Sequence, residues 1–222
     1  MGAIARSAAN NITTSGVFTF NAITNSSVTG ITVLANAEDG ITLISSQTAS
    51  NSASISFTTG ITSTYKAYKF VFSDIHPRTD TVGFQFNMST DSGSNYNVTK
   101  TTTNFVATHK ADDADAGLIY QSGRDLAQST GFQEIMGDCG NGAKKNSGGS
   151  LLLFNPSSTT YVKHFISNGS TMTYHTGDTD TGNYNYAMFV GGYGNTTSAV
   201  NAIRFQMSSG NFDGKIYLYG IK

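Results

Sequence analysis

Large apolar side chains alternate with small or polar ones in many short segments of this sequence, and this pattern constrains the fold more than any other feature. The clearest segment is 81–88, which reads TVGFQFNM. Strict alternation over a few residues is typical of a β-strand with one buried face. The pattern predicts that one set of side chains points to the core, namely Val82, Phe84, Phe86 and Met88. It predicts that the other set points outward, namely Thr81, Gly83, Gln85 and Asn87.

Similar short segments recur from residue 41 to the end of the sequence. The predicted strands are 41–46, 54–58, 65–72, 81–88, 97–107, 117–121, 150–154, 160–166, 172–175, 187–193, 202–207 and 215–221. Clusters of Gly, Asn, Asp, Ser and Pro separate them, which predicts turns at 91–95, 141–142, 147–149, 155–157 and 210–214. His76, before Pro77, is predicted in a turn and His164 on a strand as a packing residue. One short helix is allowed at 123–133.

About a dozen short strands without helical crossovers predict an all-β fold, because parallel strands need a long connection between them. We therefore expect residues 41–222 to form an antiparallel, jelly-roll-like β-sandwich. Only 12% of the residues are charged, so the outward faces are expected to be mainly Ser, Thr, Asn and Gln. Such a surface can pack against copies of itself without burying charge, which is costly. A symmetric oligomer is therefore favoured over a monomer.

The charge and cysteine content exclude several classes of function. The net charge is −1, and the only adjacent basic pair is Lys144-Lys145, so no nucleic-acid partner is predicted. No apolar stretch is long enough to cross a bilayer, so no membrane insertion is predicted. The single cysteine, Cys139, cannot complete a disulfide or a zinc site within one chain. It is expected to be a buried or incidental thiol.

Residues 1–40 differ from the rest and are predicted to be an extended N-terminal arm for anchoring and oligomerisation. Their apolar residues occur singly among Ser, Thr, Asn and Gly, and such a segment cannot build its own core. The arm could form a hairpin on its own domain or lie along neighbouring subunits. We favour the second arrangement, in which apolar partners are found by Ile12, Val17, Phe20, Ile23, Val28 and Ile31.

Three parts of the chain resemble a family of small virion proteins of marine bacteriophages, often described as tail-fibre or structural proteins. They are LISSQTASNSASISF at 43–57, the set YKF, IHP and FQF at 68–70, 75–77 and 84–86, and the run from IRF at 203–205 to GKIYLYGIK at 214–222. Residues 4–17 also resemble the N-termini of such proteins. The resemblance implies a homotrimer with jelly-roll heads, located in the virion and assembled in the host cytoplasm. Other tail or capsid proteins are then its partners.

The segment HTGDTDTGNYNY at 175–186 is the part of the sequence that most resembles a binding site. A hairpin turn explains it most simply. A cation site is a weaker alternative, because no closing acidic ligand follows until Asp213. The third alternative is a loop that contacts a host-surface glycan, with tyrosines as stacking surfaces. Its receptor-contact candidates are Asp178, Asp180, Asn183, Tyr184 and Tyr186.

Neither a metal site nor a cofactor nor an enzymatic role is predicted. The acidic run Asp112-Asp113-Ala114-Asp115, preceded by His109, is expected to be a solvated loop, with metal binding across a threefold axis as the alternative. Glycoside hydrolysis needs two facing carboxylates, and Glu38 and Glu134 have no evident partner. No Gly-x-Ser-x-Gly elbow occurs. The sequence therefore favours a non-enzymatic tail-fibre or receptor-binding protein, with a capsid decoration or head-fibre protein as the alternative.

Overall fold

Twelve strands make up the computed structural model of this protein, which describes residues 40–174 and 183–222. The strands are β1 (Ile41–Ser52), β2 (Ser54–Phe57), β3 (Ala67–Pro77), β4 (Val82–Ser89), β5 (Lys100–Lys110), β6 (Ala116–Tyr120), β7 (Gln133–Cys139), β8 (Ser147–Phe154), β9 (Lys163–Tyr174), β10 (Asn183–Gly194), β11 (Ala202–Met207) and β12 (Phe212–Ile221). The six predicted assembly residues of the arm, Ile12 to Ile31, lie outside the described residues.

The strands form two antiparallel sheets, which confirms the predicted all-β sandwich. The larger sheet has the order β1-β12-β3-β8-β9-β10-β5-β6, and the smaller has the order β2-β11-β4-β7. The side chains between them form one hydrophobic core. Because alternate side chains on a strand point to opposite faces, the strands of the larger sheet other than β6, which is fully exposed, give one set to this core and the other to its outer side.

Aromatic side chains fill the centre of the sandwich. Tyr68, Phe70 and Phe72 on β3 are buried, as the alternation in that segment predicts. Phe205 on β11 lies against the rings of five other phenylalanines, with centroid distances from 5.1 to 6.4 Å. The five are Phe57, Phe70, Phe72, Phe84 and Phe86. Phe205 is therefore the hub through which the two sheets pack.

The helix considered at 123–133 is wrong, since no helix occurs among residues 40–174 and 183–222. Residues 121–132 are irregular, and β7, which was not predicted, follows them. Strand β7 reads QEIMGDC and buries Ile135, Met136 and Gly137 in succession, so it shows no clean alternation. Its pairing with β4 has two register shifts. A strand with such irregularities loses the period-two pattern by which sequence analysis finds strands.

At two places where the sequence predicted an interruption between strands, the structure has one continuous strand. A glycine accounts for the difference at each place. Strand β9 joins the predicted segments 160–166 and 172–175. At Gly169 an added Cβ would lie 2.3 Å from Met136 Cγ on the facing sheet. The predicted turn at 147–149 belongs to β8, where a Cβ on Gly149 would lie 2.4 Å from the backbone oxygen of Asn168. These glycines allow close approach within the sandwich and do not form turns.

His76 is also placed differently from the prediction of a turn. Strand β3 continues through His76 to Pro77, which pairs with Phe212 on β12. The His76 Nε2 atom lies 3.3 Å from the carbonyl oxygen of Gly142. The prediction failed because proline is tolerated near the end of a strand, where a missing N–H costs little. His164 does lie on a strand, but it is exposed on the outer side, with its ring 5.9 Å from that of Tyr193.

Asn87 was predicted to point outward but is fully buried. The irregular segment 121–132 covers it, because the Asn87 Nδ2 donates hydrogen bonds to the carbonyl oxygen of Thr130 at 2.9 Å and to that of Tyr96 at 2.7 Å. The Asn87 Oδ1 accepts a hydrogen bond from the Nζ of Lys100, another fully buried side chain. The alternation is correct for this strand, but a loop packs on its outer side.

Burial of Lys100 predicts a pH-dependent stability. Its Nζ donates to Asn87 Oδ1 and, at 2.8 Å, to the Val98 carbonyl oxygen, which satisfies both N–H groups of a neutral amine. Burial lowers the pKa of Lys100 to about 7. Above that pH the folded state binds fewer protons than the unfolded state, so its stability relative to the unfolded state rises until the unfolded lysine also titrates.

We therefore expect the free energy of unfolding of wild type, relative to that of Lys100→Met, to rise by about 1 kcal/mol for each pH unit between about pH 7.5 and pH 9.5. Urea unfolding at several pH values measures this difference. Lys66→Met, at an exposed position, controls for the loss of one formal charge. A difference between wild type and Lys100→Met that stays constant over this range would contradict the prediction.

Candidate functional site

Two connections between strands lie at one end of the sandwich, beside the end of β9 and the start of β10. The β5–β6 connection and the start of β10 are joined by a hydrogen bond of 2.9 Å from the Ala111 N–H to the Asn183 carbonyl oxygen. The β7–β8 connection is joined to β9 by a hydrogen bond of 3.4 Å from the Gly140 N–H to the Met172 carbonyl oxygen. We call this region the loop end and define it as residues 109–115, 140–146, 172 and 183–186.

The structure places part of the predicted receptor-contact set at the loop end. Asp178 and Asp180 lie outside the described residues. Asn183, Tyr184 and Tyr186 lie at the start of β10. The rings of Tyr184 and Tyr186 meet edge to face, with centroids 6.2 Å apart. Tyr186 packs against the core, while the Tyr184 hydroxyl donates to Asp115 Oδ2 at 3.1 Å. Tyr184 is therefore the tyrosine directed at the loops.

The hydrogen bond to Asp115 brings together two segments that are about 70 residues apart in the chain. Both were candidates in the sequence, the acidic run at 112–115 and the tyrosine-rich segment at 175–186. Burial and the Asp115 carboxylate raise the pKa of the Tyr184 hydroxyl, so it remains a hydrogen-bond donor at neutral pH. Sequence reasoning found both segments but had no signal for their contact.

Each carboxylate of the acidic run has a partner of its own. Lys110 Nζ pairs with Asp112, and this hydrogen bond lowers the pKa of the Asp112 carboxyl and raises that of the lysine. His109 Nε2 lies 3.0 Å from Asp113 Oδ1. Within the described ranges, no group of three or more acidic, histidine or cysteine side chains is placed to hold a metal ion. The side chains of the acidic run form separate pairs and do not converge on one point.

A cavity of about 460 Å³ opens at the loop end. Its lining combines the lysine pair with small and polar groups, namely Ala111, Gly142, Ala143, Lys144, Lys145, Met172 and Asn183. Lys144 is exposed and Lys145 is buried. Lysine ammonium and asparagine amide groups donate hydrogen bonds. The cavity could therefore bind hydroxyl, carbonyl or carboxylate oxygens of a ligand without any covalent chemistry.

A half-buried charge cluster on β7 was missed by the sequence analysis. Arg124 Nη2 donates to Asp138 Oδ2 at 2.7 Å, and Arg124 Nη1 lies 3.1 Å from Glu134 Oε1. Burial raises the pKa of the Glu134 carboxyl to about 7, although the Arg124 charge opposes this. Two carboxylates thus share one guanidinium, which ties the segment 121–132 to β7. The sequence carried no signal for this cluster, because β7 shows no alternation and its pairing with β4 has two register shifts.

Cys139 is a buried free thiol, as the sequence indicated. Burial raises its pKa above the ordinary thiol value, which keeps it protonated and a poor nucleophile. Its Sγ lies 3.7 Å from the Met136 carbonyl oxygen within β7. Cys139 is therefore part of the core packing.

The outer side of the larger sheet is more apolar than the predicted Ser, Thr, Asn and Gln surface. Apart from Met172 at the loop end, seven large side chains there are exposed by 39 to 73%: Ile41, Leu43, Phe105, Leu118, Tyr120, Ile166 and Phe189. We call these seven residues the outer sheet face. The prediction failed because β1, β8 and β10 carry apolar side chains on both faces, and alternation identifies only one apolar face per strand.

In the described part of the chain, no helix is long and apolar enough to cross a membrane. Comparison of the sequence with models of known protein families, with curated proteins and with solved structures gave no match in any of the three.

Proposed function

We propose that this protein is a non-enzymatic structural protein of a bacteriophage particle, of the tail-fibre or receptor-binding type. One observation carries the proposal: two segments distant in sequence meet at one end of a rigid sandwich, where Tyr184 contacts Asp115. Binding residues are commonly held on loops at one end of such a scaffold. The likeness of segments 43–57 and 214–222 to phage virion proteins supplies the biological setting.

The loop end suits a host-surface glycan as ligand. Tyr184 offers an aromatic ring, Lys144 and Asn141 offer donors, and the exposed Asp113 offers an acceptor. Aromatic rings stack on apolar faces while polar groups around them fix the orientation of a ligand. Asp178 and Asp180 remain candidate contacts on the strength of the sequence alone.

Individual contacts of this kind are weak, so the proposal requires several copies on one particle. Linked binding sites can exceed the affinity of one site by about 10²–10⁴. A homotrimer attached through its N-terminal arm to other tail or capsid proteins would supply such copies. In this proposal Ile12, Val17 and Phe20 of the arm, with Ile23, Val28 and Ile31, make the anchoring contacts within the virion.

Removal of the Tyr184 ring should weaken attachment to the host. We expect labelled Tyr184→Ala protein to bind cells of the host bacterium at least about tenfold more weakly than wild type, because avidity multiplies a small loss at each site. Cell-binding isotherms measured by flow cytometry test this. The matched control is Tyr161→Ala, which removes a 71% exposed tyrosine at the opposite end of β9. Equal binding by both variants, or no binding by wild type, would count against receptor recognition.

A capsid decoration or head-fibre protein is the second candidate, and the outer sheet face favours it. Decoration proteins act by burying surface against neighbouring molecules, and an exposed apolar band is suited to that. Copy number distinguishes the two candidates. Hundreds of copies per particle, counted by quantitative mass spectrometry of purified virions, indicate decoration, whereas a number that matches the tail symmetry indicates a fibre.

A further inference from the structure

The outer sheet face continues across the whole width of the larger sheet. One row of outward residues crosses six adjacent strands in the order Leu43, Tyr219, Lys69, Leu152, Ile166 and Gly191. A second row runs from the other edge of the sheet in the order Tyr120, Phe105 and Phe189. The Phe105 and Phe189 rings stack with centroids 5.1 Å apart. The two rows meet near Ile166 and Phe189, so the apolar surface extends from β1 to β6.

The size of this surface matches what a stable interface needs. The seven side chains of the outer sheet face are exposed by 39 to 73%. At about 200 Å² for each fully exposed large side chain, they present about 700 Å² of apolar area. Half-buried neighbours such as Tyr219 and Leu152 add to this. Monomers rarely expose more than a few hundred Å² in one patch, and stable interfaces take about 800 Å² from each partner.

The charge on the surface argues for a partner that is itself neutral. Lys69 is the only formally charged side chain in the two rows, and one carboxylate, that of Asp125, lies at their edge, where it accepts a hydrogen bond of 2.6 Å from the Tyr120 hydroxyl. An acidic glycan or nucleic acid would require several cations, and a basic partner would require several carboxylates. The whole chain carries a net charge of only −1. A second copy of this chain brings a single charge of its own to these rows, Lys69, and the long lysine stem allows that ammonium to stay in water at the contact.

The shape of the surface also fits a copy of itself. Ile166 projects from β9 and is 57% exposed. Ile166 also borders a shallow groove of about 300 Å³, whose other lining residues include Gly191, Gly192, Phe154, Tyr193 and Thr103. An exposed apolar side chain and an apolar groove therefore lie on the same face. When two copies face each other, Ile166 of one copy can enter the groove of the other.

From area, charge and shape together, we propose that the outer sheet face is the surface through which copies of this chain associate, with Ile166 seated in the groove over Gly191 of a neighbour. Strand β6 belongs to this interface. Its two outward side chains are exposed, Leu118 by 73% and Tyr120 by 56%. A second copy over the sheet would cover these two outward side chains. The inference goes beyond the proposed function and holds whether or not the protein binds a host.

Analytical ultracentrifugation of the full chain over a range of concentrations tests the proposal. We expect wild type to sediment as an oligomer. Ile166→Glu should raise the dissociation constant at least about a hundredfold, since it places an unpaired charge in the contact. Gly191→Val should weaken association by filling the groove. It should not strain the fold, because its added Cβ would lie 3.7 Å from Thr103 Oγ1, an ordinary contact.

Tyr161→Glu, 71% exposed and outside the outer sheet face, is the matched control and should associate like wild type. Far-ultraviolet circular dichroism and thermal unfolding confirm that each variant is folded, and Ile166→Thr, which keeps a β-branched side chain, replaces Ile166→Glu if that variant is unfolded. A monomeric wild type overturns the proposal. So does an oligomer that persists unchanged in both face variants, because association would then run through another surface such as the arm. An oligomer that persists in both face variants leaves the test of host binding unaffected, whereas a monomeric wild type would remove the avidity assumed there.

Discussion

Phe205→Ala is expected to be the most destabilising single substitution in the described structure, lowering the free energy of unfolding by about 4 kcal/mol. Phe205 is fully buried and meets five phenylalanine rings from β2, β3 and β4. Truncation removes its own burial, leaves a cavity that its neighbours cannot fully close, and breaks several ring pairs that add stability beyond area. Urea unfolding followed by circular dichroism measures the change.

Two further variants make this result specific to the core. Tyr161→Ala removes an aromatic ring of similar size from a position that is 71% exposed, and we expect it to change stability by less than about 0.5 kcal/mol. Phe205→Leu keeps most of the apolar volume and should fall between the two. If Phe205→Ala and Tyr161→Ala cost the same, Phe205 is not the packing hub of the two sheets.

Arg124→Met should also destabilise the protein, and its cost should depend on pH. The Arg124 guanidinium is the shared partner of Glu134 and Asp138, all with side chains at or below 25% exposure. Removing one member of a fully buried pair costs about 3–5 kcal/mol. Partial exposure reduces this, and we expect about 2 kcal/mol near pH 8.

The direction of the pH dependence follows from Glu134. Its pKa is raised to about 7 in the folded protein, so between its unfolded and folded pKa values the folded state binds more protons than the unfolded state. Stability from this group is therefore present at low pH and is lost as pH rises. The Arg124 charge lowers the pKa of Glu134, so its removal raises that pKa further. Arg124→Met should then cost less at about pH 5 than at about pH 8.

Glu134→Gln provides the matched background for this measurement, because glutamine keeps the shape of glutamate and cannot ionise. In that background Arg124→Met should lose its extra cost at high pH, as measured by urea unfolding at both pH values. An Arg124→Met penalty that is equal at both pH values in the wild-type background would show that Glu134 does not sense the guanidinium.

The fold could be predicted from sequence where one face of a strand is apolar and the other is not. Strand β4 shows this, since Val82, Phe84, Phe86 and Met88 are all buried as expected. The pattern failed where glycine has a packing role. Gly169 and Gly149 suggested loops but allow the sheets and strands to approach closely. Sequence spacing alone does not distinguish a glycine that turns the chain from one that admits a neighbour.

The candidate site was predictable only as separate segments. Tyrosines and aspartates in turn-rich stretches drew attention to 112–115 and 175–186, but their contact through Tyr184 and Asp115 depends on how β5, β6 and β10 pair. The Arg124 cluster was missed for a related reason. Its members come from an irregular segment and from a strand without alternation, so no local pattern placed them together.

The position of β12 has a consequence for how the protein is made. Strand β12 lies between β1 and β3, so the first and the last strands of the sandwich are hydrogen-bonded neighbours. A nascent chain on the ribosome cannot complete this sheet until β12 has emerged from the exit tunnel. Pairings between such distant segments are slow to form. Synthesis that stops before β12 would leave β1 and β3 without their shared partner, and such incomplete chains would be substrates for proteases before they could join any assembly.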